Sequence, residues 1–269
     1  PMEESMMDFA TYQRLTFERR QRVLWISIDA GPMNAVDFEL HEELAKVFYE
    51  AQNDQGSDLI VLTGAGRAFC AGGDMDWFQE MIDDPAKFRG ITTDAKRIVN
   101  GLLEMEKPIV CRLNGAAAGL GASIALLCDV IIADERALIG DPHVKVGLVA
   151  GDGGAVIWPQ LIGFARAKEM LLTGDMLRAS EAVTMGLINY AVPTDQLDGK
   201  VDELVGKILA NPRWAVRWTK TAVNLVLRDI ANKVMEPAIA YEIASNATAD
   251  RQEAVNAFVE KRAPNYTGE

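Results

Sequence analysis

Histidine is the first scarcity of this 269-residue chain, which holds only His41 and His143. With those two far apart and no carboxylate pattern that suits a metal, no metal site is expected. Cysteine is nearly as rare: Cys70, Cys111 and Cys128 are odd in number and lack CxxC spacing. That excludes a disulfide framework or a zinc ribbon, and three buried thiols in a reducing compartment, the cytoplasm by default, are expected instead. Long apolar runs are missing too. The longest, "ASIALLCDVIIA", is broken by Ser123 and Asp129 and is too short to span a bilayer, so no membrane span is expected. Basic residues are outnumbered, 27 against 39 acidic, for a formal charge of −12. A sequence-independent hold on nucleic acid or an anionic membrane is thereby excluded. The opening "PMEESMMDF" has no basic segment followed by an apolar one and is not expected to be a secretion signal.

What is present is a hydrophobic fraction of 49%, ample for a buried core. Short β-branched runs at "RVLWISID", "DLIVLTG", "PIVCRLNG" and "DVIIAD" alternate with helical-period segments such as "DFELHEELAKVFYEAQN", which predicts an α/β fold around a largely parallel sheet. "QRLTFERR" before the first run predicts a two-stranded start and hence a mixed sheet. Past Pro193 strand signals stop and helix patterns fill "VDELVGKILA", "RWAVRWTKTAVNLVL", "ANKVMEPAIAYEIAS" and "DRQEAVNAFVEKR". The expected organisation is a core over 1–193 that carries the active site and a helical region over 194–269 that covers the core or a neighbouring subunit. His41 is expected on the polar face of the helix spanning 37–53.

Twice a strand runs through small residues into a helix, at "VLTGAGRAFCAGGDMDWF" and "VCRLNGAAAGLGASIALL". Both turns place bare N–H groups at a helix start, where no intrahelical acceptor exists and the dipole favours negative charge. If the turns face each other, their amides converge on one oxygen, an enolate or tetrahedral oxyanion. The alternative is that small residues merely let helices pack tightly on strands. Neither turn fits a P-loop or a GxGxxG dinucleotide motif.

Together with "KPIVCRLNGAAAGLGASIALLCDVIIADERALIG", "GLVAGDGGAVIWPQLIGFARAKEMLLTGDMLRASEAVTMGLINYAVP" and "EAVNAFVEKRAPNY", these motifs resemble the crotonase superfamily, the enoyl-CoA hydratase/isomerase family, over almost the whole chain. The resemblance implies a spiral of ββα units with a helical C-terminal region, a homotrimer or dimer of trimers, and an acyl-CoA substrate whose enolate is held by two backbone amides. Coenzyme A then enters as part of the substrate, and no separate cofactor is implied. By position those amides belong to Gly73 and Leu120, and Lys261 in "EKRAPNY" falls where the family contacts the CoA phosphates. A solvated helix end is the other reading of Lys261.

The chain departs from the family where hydratases carry two glutamates, for Ser123 and His143 stand there. A serine hydroxyl can hydrogen-bond a water, which makes Ser123 a catalytic candidate, but it cannot hold a proton as a carboxylate does, so the two-carboxylate hydration mechanism does not transfer directly. Imidazole titrates near working pH, and His143 is the candidate general acid/base. Asp152, nine residues later beyond Gly147 and Gly151, is placed to orient one ring nitrogen and leave the other free. A histidine bound to a backbone carbonyl, and an aspartate capping the next helix, are the structural alternatives. The His–Asp spacing also resembles crotonase relatives of the 6-oxocamphor hydrolase type, which cleave a carbon–carbon bond of a cyclic β-diketone. Three readings follow: a CoA-thioester hydratase or isomerase, a β-diketone hydrolase, and a noncatalytic acyl-CoA-binding protein. Cys70 reads as a buried small thiol, and Trp77 and Phe78 as core or acyl-pocket lining.

Overall fold

The computed structural model describes residues 7–269, so most of the acidic opening segment lies outside the described residues. In chain order the elements are β1 (Leu15–Arg20), β2 (Val23–Ile28), α1 (Phe38–Asn53), β3 (Leu59–Gly64), β4 (Ala68–Cys70), α2 (Met75–Asp83) and α3 (Pro85–Glu104). There follow β5 (Ile109–Leu113), β6 (Ala116–Ala118), α4 (Leu120–Leu126), β7 (Val130–Asp134), β8 (Leu138–Gly140), α5 (Gly154–Thr173), β9 (Met176–Arg178), α6 (Ala179–Met185) and β10 (Tyr190–Val192). The chain closes with α7 (Leu197–Leu209), α8 (Arg213–Asn246) and α9 (Ala249–Glu260).

The larger sheet runs β1-β2-β3-β5-β7-β10. Its first pair is antiparallel and every later pair parallel, the mixed start that the sequence predicts. Side chains alternate across it: Leu24, Ile26 and Ile28 enter the main core with α1 and α3, whereas Val23 and Trp25 pack with Leu197, Val201 and Val205 of α7. Both faces are therefore covered, which explains why these strands read as near-continuous apolar runs.

A second sheet, β4-β6-β8-β9, stands beside the first. Strands β3 and β4, β5 and β6, and β7 and β8 are successive pairs, each sending its first member to the large sheet and its second to the small one before a helix returns. This is the ββα spiral that the crotonase resemblance implies. Two asparagines fix the corners. Asn34, fully buried, donates through Nδ2 to the carbonyls of Ala65, Ala68 and Phe69 at 2.9–3.2 Å, and Asn114 Oδ1 accepts from the Gly64 amide at 2.9 Å. The helical region differs in one respect from expectation, because α8 is a single 34-residue helix that passes through Pro237. Proline removes one N–H, but residue 237 is exposed, so its ring and the freed carbonyl face water.

Candidate active site

The small sheet brings the two glycine-rich turns together. Strands β4 and β6 are parallel neighbours, with Ala68 opposite Ala116 and Cys70 opposite Ala117, so the turns that follow them leave side by side. Gly72, at φ 92°, packs against the Ala118 carbonyl, and a side chain at Gly121 would fall directly on the Cys70 carbonyl oxygen. Only a bare backbone fits at these two positions. The turns feed α2 and α4, and Gly73 and Leu120 both line one cavity of about 310 Å³. Among the described residues neither amide donates to another protein group; Leu120, as the first residue of α4, has no intrahelical acceptor. Two free donors thus border the same space.

His143 lines that cavity as well. It begins a 3₁₀ turn after β8, held between Gly119, whose missing side chain leaves room for the ring, and Gly147 at φ 73°. The chain then reverses through Gly151 and Gly153 and returns Asp152 to within 3.3 Å of His143 Nε2. His143 and Asp152 therefore do meet. Their arrangement nonetheless differs from expectation, because the other nitrogen is not free: Nδ1 pairs with Asp141, which is fully buried. Asp141 is the orienting carboxylate, and it stands only two residues upstream in "GDPH". Burial opposes charge on the imidazole, but the carboxylates of Asp152 and Asp141 outweigh it and hold His143 well above its ordinary range. Each ring nitrogen faces an aspartate, so neither is free to act as a base in this arrangement. Asp152 Oδ1, buried and without a partner, is the acceptor left over.

A second carboxyl comes from far along the chain. Glu242 of α8 is buried, borders the cavity, and packs against Gly151. Burial and the Asp152 charge push its carboxyl up to about 8, although the charges of His143 and Arg251 pull the other way. Glu242 consequently carries its proton at neutral pH and is a donor. Arg251 of α9, fully buried, donates to the Val146 carbonyl at 2.6 Å and stacks over the Phe78 ring at 4.5 Å. It ties α9 to the floor of the site.

One ligand-capable atom each from His143, Asp152 and Glu242 lies within 4.8 Å of the others, a set that the two-histidine sequence did not suggest. A cation placed there would first have to displace the proton on His143 that faces Asp152, since metal binding requires a neutral imidazole.

The remaining residues named from the sequence fall elsewhere. Ser123 is fully buried behind Gly153 with an unpartnered hydroxyl, and it does not line the cavity. Lys261 is exposed at the C-cap of α9 in a left-handed conformation (φ 54°), one turn beyond Phe258, which does line it. Cys70 is buried, and burial pushes its thiol up to about 12, which excludes a thiolate nucleophile at neutral pH. Trp77 and Phe78 line the cavity. His41, expected on a polar helix face, is instead 2% exposed and also lines it. Positions 41, 44, 45 and 48 form one buried stripe of α1, and the histidine extends that stripe into the site.

Asp141, Glu242, Arg251 and His41 complete a site that sequence spacing left partial. Glu242 had a faint signal: it shares a helical face with Met235, Ala238, Ile239 and Asn246, all buried, where a lone carboxylate is out of place.

The family model described as Enoyl-CoA hydratase/isomerase matches residues 18–269. The crotonyl-CoA hydratase of Syntrophomonas wolfei is 31% identical over 258 residues, spanning 95% of this chain and 98% of that protein. Among solved structures, an enoyl-CoA hydratase/isomerase from Mycobacterium paratuberculosis superposes with a TM-score of 0.86 at 34% identity, covering 90% of this chain and 97% of that one. A β-diketone hydrolase from the cyanobacterium Anabaena, bound to (S)-3-oxocyclohexyl acetic acid, superposes with a TM-score of 0.83 at 26% identity, covering 89% and 96%.

Proposed function

Because the chain belongs to the enoyl-CoA hydratase/isomerase family, we propose that its cavity takes the acyl end of a CoA thioester and processes it through an enolate. The observation that carries this reading is the pair of unpartnered amides, Gly73 and Leu120, at one cavity that also holds acid and base groups. The thioester oxygen accepts from both amides, and charge that develops on it meets donors already in place. In hydration of an enoyl thioester, water oxygen bonds to the β-carbon, Asp152 takes the proton released, and the α-carbon receives the proton of Glu242. In isomerisation the same two groups remove and return a proton on different carbons. His143, fixed by Asp141, positions Asp152 and balances its charge. Lys261, exposed at the C-cap of α9, is the cation offered to the CoA phosphates, whereas Lys145 lines the cavity but is paired with Asp175 at 3.0 Å.

A second reading is favoured by the acid–base set itself. With His143, Asp141 and Asp152 grouped as they are, water would add to a ketone carbon and give a proton to Asp152, and collapse of the adduct to a carboxylic acid would break the bond to the carbon between the two carbonyls of a β-diketone. The enolate leaving group would rest on the same amides and take its proton from Glu242. We further propose a trimer or dimer of trimers, working in the cytoplasm, where the three buried free cysteines stay reduced. The test is turnover of a panel of enoyl-CoA thioesters and cyclic β-diketones. Turnover of thioesters alone supports the first reading, diketone cleavage alone replaces it with the second, and binding without turnover of either returns the chain to a noncatalytic acyl-CoA-binding protein.

A further inference from the structure

His41 is used by none of these steps, yet it is the polar side chain on the opening turns of α1 that borders the cavity. Among the described residues neither of its ring nitrogens hydrogen-bonds to the protein, and Nδ1 is shut away from solvent without a partner. A buried polar group left so costs about 1–3 kcal/mol, and an apolar side chain of similar size would avoid that cost. Its ring lies 5.6 Å from that of Trp77, tilted by 47°, so one flank is fixed by an aromatic wall. Burial drives its titration down to about 4, against the pull of Asp152, and the imidazole is neutral at working pH. One nitrogen then donates and the other accepts.

We propose that His41, steadied by Trp77, forms a second polar subsite of the cavity, one that takes a neutral keto or hydroxyl oxygen carried by the acyl group. An anionic group is disfavoured there. The acidic groups Asp141, Asp152 and Glu242 share the region, the His143 cation is already bracketed by two aspartates, and Lys145 is held by Asp175. Much of the rest of the cavity wall is apolar, supplied by residues such as Val36 and Phe78. A site with few polar groups discriminates strongly through each of them: a ligand oxygen can pair with Nε2, the ring nitrogen that is not shut away from solvent, and a ligand lacking that oxygen leaves it unpaired. The inference rests on the reading that the first carbonyl sits between Gly73 and Leu120. It adds that the acyl group is oxygenated and not a plain hydrocarbon.

The experiment is calorimetric titration of hexanoyl-CoA and of its 3-, 4- and 5-oxo and hydroxy derivatives into the wild type, His41→Phe and His41→Gln. Cyclohexanone and cyclohexane-1,3-dione serve as a CoA-free pair. The wild type is expected to bind at least one oxygenated thioester about tenfold or more tightly than hexanoyl-CoA, the scale of one well-made hydrogen bond. His41→Phe is expected to bring that ratio close to one, and His41→Gln to restore part of it. A ratio near one in the wild type, or a ratio that survives in His41→Phe, overturns the subsite. If thioesters do not bind but the dione is preferred over cyclohexanone and His41→Phe erases that preference, the subsite stands and the thioester reading falls. Binding of none of these ligands overturns both.

Discussion

The two ends of the proton inventory at this site are single side chains, and each makes its own prediction. In the proposed reaction Asp152, with a buried unpartnered oxygen, is the proton acceptor, and His143 is the positioning residue beside it. Asp152→Asn and His143→Ala are each expected to lower kcat by a factor on the order of 10² to 10⁴. The double variant should be less impaired than the product of the two, because residues acting as a unit are not additive. A folded His143→Ala protein with full turnover would remove the histidine from the chemistry. Glu242 holds its proton up to about pH 8, so kcat/KM of the wild type should fall as pH rises through that value. Glu242→Gln should lower kcat and abolish that basic limb, which a pH–rate profile reads directly. His41 titrates near 4 when folded and near 6.5 when unfolded. Between those values the unfolded chain binds more protons than the native one, so this group favours unfolding progressively as pH falls from about 6.5 to 4. The shift corresponds to roughly 3 kcal/mol. Urea unfolding at pH 4 and pH 7 should therefore show a smaller acid loss for His41→Phe than for the wild type. Taking the difference between the two proteins cancels the contributions of Glu242 and His143, which titrate in both.

At the level of elements, the site depends on how closely α4 packs on β4. A methyl at Gly121 would land on the Cys70 carbonyl oxygen, a backbone atom that cannot swing away. Gly121→Ala should destabilise by about 3 kcal/mol, at the upper end for overpacking, and should part the two amides; thermal unfolding together with thioester affinity checks both. The same contact marks the boundary of what the sequence shows. Strands β2, β3, β5 and β7 were legible because both their faces are covered and their composition is β-branched. Strand β6, by contrast, is Ala-Ala-Ala, and β4, β8 and β9 are also three residues each; their pairing is decided by where longer elements place them, not by propensity. The site followed the same division. Gly73, Leu120, His143 and Asp152 lie on turns with local signatures, and all four border one cavity. Asp141, two residues from His143, was hidden by the assumption of one aspartate per imidazole. Glu242 and His41 are polar residues at the ends of otherwise buried helix stripes, and only tertiary packing shows that they face the site. Ser123 went astray because α4 turns that position away from the cavity and under Gly153. Two helices were expected where α8 is one, since an exposed proline costs a helix less than a buried one.

For the whole molecule the open question is what covers α8. This helix of 34 residues is about 50 Å long. Its inner face meets α3 and α5, and among the described residues no helix is long and apolar enough to cross a membrane. Away from that face it carries Trp214, Trp218 and Leu225 at helical spacing, 52–60% exposed, and, further round the helix, Val226 and Val223 at 69% and 71%. The two indoles contact each other with centroids 5.3 Å apart, a rigid apolar plate rather than scattered surface residues. Patches of this kind mark association sites. A net charge of −12 repels copies at long range, so association must come from apolar contact at short range. A stable contact hides roughly 800 Å² per partner, which a helix of this length supplies readily. Sedimentation of the wild type at micromolar concentration should therefore give a trimer or hexamer. Trp218→Asp combined with Val226→Asp should shift the mass toward the monomer, because two carboxylates would be desolvated in each interface. A wild-type monomer would leave the exposed face of α8 without a partner and remove assembly from the account.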